Sequence, residues 1–122
     1  MTAHKIKPIE LGYSQKYRFY PRMINIRDER NFDARFIDIP DGDPEKEQRE
    51  FALYKEFLGS FCDQPPEYLK NGKGEPKWEK LPGDTPMSAI ETAFKEMTPE
   101  NERVVTLAYR IHKSRLDPEI NF

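Results

Sequence analysis

The stretch Pro40-Asp-Gly-Asp-Pro-Glu-Lys-Glu-Gln-Arg-Glu-Phe-Ala-Leu-Tyr-Lys-Glu-Phe-Leu-Gly-Ser-Phe61 sets the frame for the rest of the chain. It opens with two prolines around a glycine, a composition that breaks any regular element. From Glu45 onward Phe51, Tyr54, Leu58 and Phe61 recur at three- and four-residue steps, with Phe57 beside them. That spacing predicts an amphipathic helix over 45–61 whose aromatic stripe nucleates the core. Asp43 is the expected N-cap, with Pro44 in the first turn and Glu45 and Glu47 where exposed N–H groups favour negative charge.

On the C-terminal side, residues 62–84 carry Pro65, Pro66, Pro76 and Pro82 together with Gly72, Gly74 and Gly83. This density predicts a long Pro/Gly-rich loop, pinned to the helices by Tyr68, Leu69, Trp78 and Leu81. Thr85-Pro86 and Thr98-Pro99 then repeat one helix-start logic: Thr accepts a backbone hydrogen bond as N-cap, and Pro fills the first turn. The two predicted helices run from 85 to about 97, with Met87, Ile90, Ala93, Phe94 and Met97 on one side, and from 100 to about 115, with Val104, Leu107, Ala108 and Ile111 inward. Asp117-Pro118 ends the last helix, and Ile120 and Phe122 are expected to pack back.

On the N-terminal side, Ala34 to Ile39 alternates in character and reads as a strand. Tyr17 to Ile26 is rich in strand formers but is interrupted by Pro21, which favours an edge position. With the polar connection 27–33 the two would form a small hairpin under helical cover. Residues 1–16, with weak periodicity, Pro8 and Gly12, read as an arm. The expected fold is therefore mainly α with a small N-terminal β-hairpin or extended arm, an α+β chain with about three helices. An N-terminal arm over 1–16 would precede one small domain over 17–122.

At 122 residues the chain has room for one modest core. Cys62 is the sole cysteine, which excludes an intramolecular disulfide and favours a reducing, cytoplasmic setting. No stretch approaches the roughly 20 apolar residues needed to span a bilayer, so no membrane association is expected.

Few residues have the type and spacing that chemistry requires. His4 and His112 are the only histidines, and no zinc-binding spacing occurs. Cys62 and His112 could form a nucleophilic pair, but a small buried hydrophobe and a partner for a helix C-terminus are the simpler roles. Asp38, Asp41, Asp43, Glu45 and Glu47 miss the calcium-loop spacing. No phosphate-binding glycine loop is present. Neither metal nor cofactor is expected, and the chain reads as noncatalytic.

Charge is strongly polarised although the formal net charge is only −2. The first 27 residues carry six Lys/Arg against one Glu, and residues 28–58 carry ten Asp/Glu against five Lys/Arg. Basic and aromatic residues interleave over 13–27, through Tyr13, Lys16, Tyr17, Arg18, Phe19, Tyr20, Arg22 and Arg27. The expected function is a noncatalytic adaptor or accessory subunit that binds a larger protein, with Lys16, Tyr17, Arg18, Tyr20, Arg22, Arg27, Tyr68 and Trp78 as contact residues. The alternative is a single-stranded nucleic-acid accessory protein, in which the same N-terminal segment stacks bases and contacts phosphates. Self-association through the complementary charge halves is a further partner class.

Overall fold

The computed structural model describes residues 7–12, 14–71 and 74–116. In chain order they form strands β1 (Ile9–Gly12) and β2 (Lys16–Phe19), helices α1 (Ile26–Ile37) and α2 (Lys46–Ser60), strands β3 (Glu67–Lys70) and β4 (Lys77–Lys80), and helices α3 (Pro86–Ala93) and α4 (Pro99–Leu116). The strands form one antiparallel sheet in the order β1-β2-β3-β4.

This overturns the expectation of a mainly α chain with strands only at its N-terminus. The 62–84 stretch supplies half of the sheet, because its prolines and glycines flank and connect two four-residue strands. Within the expected arm, Ile9–Gly12 pairs with Lys16–Phe19. The reversal between them needs Gly12, whose φ is +152° and whose absent Cβ would lie 2.1 Å from Gln15 O. Beyond Phe19 the chain leaves the ladder: Pro21 makes only an isolated bridge to Cys62, flanked by Arg22 N–H to Phe61 O (3.0 Å) and Asp63 N–H to Tyr20 O (2.9 Å).

Of residues 34–39, read as a strand, 34–37 belong instead to α1, Asp38 is its C-cap and Ile39 lies in the bend beyond it. Asn25 starts that helix, its side chain accepting from Asp28 N–H at 2.8 Å, and no Gly or Pro intervenes before Pro40. Phe32 and Phe36, one helical turn apart, then face α2, with Phe32 edge-on to Phe57 at 5.3 Å. Six alternating residues are too few to separate a strand from part of a helix.

α2 stands between two apolar clusters. Phe51 and Leu58 join Ile9, Phe19, Ile90, Phe94, Val104 and Ala108 beneath the sheet. Leu53, Phe57 and Phe61 join Phe32 and Leu116 beside α1. Asp43 does not cap α2; Glu45 is the N-cap, and Asp43 lies two residues earlier, its carboxylate accepting from Glu45 N–H at 2.8 Å. The two Thr-Pro starts form as expected. Thr85 and Ser88 make a reciprocal capping box, and Thr98 Oγ1 accepts from Asn101 N–H at 3.1 Å. In α4 the buried stripe is Val104, Val105, Ala108, His112 and Leu116; Leu107 is turned outward. The expected packing of Ile120 and Phe122 lies outside the described residues.

Candidate functional site: the outer face of the sheet

Strand alternation assigns every sheet side chain to one of two faces. Ile9, Leu11, Tyr17, Phe19 and Tyr68 lie on the face that packs against the helical core. Tyr17 sits edge-on to Phe94 at 5.1 Å and Phe19 stacks on it at 6.1 Å. The opposite face carries Glu10, Lys16, Arg18, Tyr20, Glu67, Leu69, Trp78 and Lys80. Glu10, Lys16 and Lys80 are exposed, and the others are half-buried.

Two rows of side chains cross this outer face. The strand register sets Glu10 opposite Arg18, Arg18 opposite Glu67, and Glu67 opposite Lys80. Charge thus alternates in sign across all four strands. Arg18 donates from Nε (2.8 Å) and Nη2 (2.5 Å) to Glu10 Oε1, and its guanidinium lies 3.6 Å from Glu67. Tyr20 donates its hydroxyl to Glu67. Burial raises the Tyr20 pKa, and the bond to Glu67 adds to the rise. The second row sets Leu69 opposite Trp78. The Trp78 ring reaches back so that the Arg18 guanidinium lies 4.1 Å from its centroid, a cation–π contact at the middle of the face.

Lys16, Arg18 and Tyr20, alternate residues of one short segment, are thereby brought together with Trp78, which lies far away in sequence. Tyr17 and Tyr68 are on the core side, where Tyr68 donates its hydroxyl to Glu79 at 3.1 Å. Arg22 lies in the connection to α1, over the Phe61 ring at 5.3 Å and bonded to Ser60 O at 3.0 Å. Arg27 is exposed in the first turn of α1. Sequence reasoning missed Glu10, Glu67, Leu69 and Lys80 as members of this face. The available signal was the strand-favouring aromatics Tyr68 and Trp78 within Glu67-Tyr-Leu-Lys70 and Lys77-Trp-Glu-Lys80, but neither run alternates cleanly, and each is short and bounded by breakers.

The residues with nucleophilic potential are buried away from this face. Burial pushes the Cys62 thiol up to about 12, which keeps it protonated at neutral pH. His112 is fully buried, with Nε2 3.0 Å from Arg22 O and, among the described residues, no partner for Nδ1. Burial holds its pKa down to about 4, against the opposing pull of the Arg22 carbonyl. Among the described residues no group of three or more His, Cys, Asp or Glu side chains could hold a metal ion, and no helix is long and apolar enough to cross a membrane. A separate cleft of about 580 Å³ lies between α1, α2 and α3, lined by residues including Arg35, Leu53, Glu56 and Met87. Four of its charged side chains are paired within the protein: Arg35 with Glu56 at 2.5 Å, Arg49 with Asp43 at 2.9 Å, and Glu91 with Lys55 at 3.5 Å.

The fold and face define a small α+β protein in which one side of a four-stranded antiparallel sheet is packed by helices. Compared with protein-family models, curated proteins and solved structures, the chain gives no match.

Proposed function

We propose that this chain is a noncatalytic adaptor or accessory subunit that docks on a larger protein through the outer face of its sheet, in a reducing cytoplasmic setting. The observation that carries the reading is the half-buried Trp78 ring over Arg18. Aromatic and arginine side chains that are already held in place lose little freedom on binding, and both residue types are enriched at interface hot spots. The basic charge of the N-terminal segment favours protein over nucleic acid once its partners are considered. Arg18 is matched by Glu10 and Glu67, so the face is electrostatically mixed and not a continuous phosphate-binding strip.

The test is affinity capture with the full chain, before and after nuclease treatment, beside Trp78→Ala and a control substitution on the exposed side of α4, Arg110→Ala. A stoichiometric protein that survives nuclease and is lost only with Trp78→Ala supports the reading. Retention of oligonucleotide alone, weakening steeply with salt, would replace it with the nucleic-acid alternative.

A further inference from the structure

The sheet has two edges, and they differ. β1 packs against α4, whereas β4 ends the strand order and pairs, among the described residues, only with β3. The phase of the β3–β4 ladder decides what β4 offers on its far side. Leu81 N–H bonds to Pro66 O at 2.9 Å, and the register steps back from there to Glu79 opposite Tyr68 and Lys77 opposite Lys70. In an antiparallel pair the bonded positions alternate. Glu79 and Lys77 therefore point their backbone groups at β3, and Trp78 and Lys80 point theirs outward. The two residues with outward N–H and C=O groups are also the two whose side chains lie on the outer face.

We infer that β4 accepts an extended segment of the partner protein as a fifth strand, with an acidic side chain beside Lys80 and an apolar one beside Trp78. This rests on the adaptor reading and specifies how the partner is held. Charge complementarity supports this occupant: the row Glu10, Arg18, Glu67, Lys80 alternates in sign, and no described residue fills its next position, beyond Lys80. Lys80 makes no ion pair among the described residues, so an incoming carboxylate would continue the alternation. Lysines on an edge strand ordinarily discourage pairing with other strands. Here they select by charge, repelling basic strands and favouring an acidic one over a neutral one. A second copy of the chain fits poorly. Antiparallel self-pairing in this phase sets Lys80 against Lys80, Glu79 against Glu79 or Lys77 against Lys77, or places Pro76, which has no N–H, opposite Lys80.

The experiment uses the full 15N-labelled chain and the peptide Thr-Glu-Thr-Val-Thr-Glu-Thr-Val, read by amide hydrogen exchange and chemical shift. The expected result is slowed exchange at the Trp78 and Lys80 amides with the Glu79 amide unchanged. Replacing Glu by Lys in the peptide weakens binding about fivefold, as expected for cross-strand charge pairs, and Lys80→Glu reverses that preference. Methylating the peptide nitrogens of Glu and Val, which leaves the protein untouched, abolishes binding. Unchanged Trp78 and Lys80 exchange at high peptide concentration, or equal binding of the Glu and Lys peptides, overturns the inference. So does slowed exchange that needs no peptide and rises with protein concentration, which would put a second copy on the edge. If partner capture depends on Trp78 while captured partner leaves these amides unprotected, strand addition falls and the adaptor reading stands. If the edge discriminates between peptides but capture survives Trp78→Ala, the adaptor reading through the outer face fails instead.

Discussion

Arg18 and Trp78 meet across two strand boundaries, the guanidinium 4.1 Å from the ring centroid, and each restrains the other. Trp78 is the sole tryptophan, so its fluorescence reports this contact without interference. In Arg18→Ala the ring loses its cover, and emission shifts to longer wavelength. Stability falls by about 1 kcal/mol, from lost cation–π contact and lost packing of the arginine stem. An unchanged spectrum would mean the ring is held by other neighbours.

His112 makes the fold acid-sensitive in a defined window. Its folded pKa, about 4, lies below the ordinary value of 6.5, so the unfolded chain binds the proton more readily. The associated stability is complete above pH 6.5 and is lost as pH falls through about 4, a change of about 3 kcal/mol. Urea midpoints measured between pH 7 and pH 4 should decline accordingly. His112→Gln keeps a donor for the Arg22 carbonyl but cannot titrate, and its midpoint should decline less over the same range.

Gly83 has φ +147°, and a Cβ there would come within 2.6 Å of Ala89 N. Both the backbone conformation and the close approach to α3 exclude a side chain. Gly83→Ala should cost more than about 2 kcal/mol, read as a fall in the thermal midpoint. A change of a few tenths would contradict this geometry.

Lys113 ties α4 to α1, donating to both Asp33 carboxylate oxygens at 2.8 and 2.9 Å and lying 3.3 Å from Glu29. Lys113→Ala should lower stability by about 1 kcal/mol, less at high salt. The loss should fall on α1, whose amides would exchange faster while those of α3 are unaffected.

The helices were more legible in the sequence than the sheet, and the reason is length. α2 and α4 span several turns, so their apolar spacing repeats, and the Thr-Pro starts carry capping chemistry that acts locally. α1 was misread because its apolar side is supplied mainly by Phe32 and Phe36, while Ile37 is 82% exposed and lent the segment a false alternation. β3 and β4 are four residues each, too short for periodicity to outweigh the surrounding prolines and glycines. The candidate face was half legible. Lys16, Arg18, Tyr20 and Trp78 could be named from their chemistry, but Glu67 and Lys80 acquire meaning only through register with Arg18, which no local signal carries.

The sheet order follows the chain order, yet α1 and α2 intervene between its second and third strands. β2 and β3 meet over two paired positions, Tyr17 with Tyr68 and Arg18 with Glu67, while each flanking hairpin pairs over four. The hairpins can close within local sequence on a microsecond timescale, but joining them requires the intervening helices to be compacted first, at the cost of loop-closure entropy. Folding speed should therefore be governed by this narrow central seam, and substitutions at Tyr17 or Tyr68 should slow refolding more than equally destabilising changes at the tips of the hairpins.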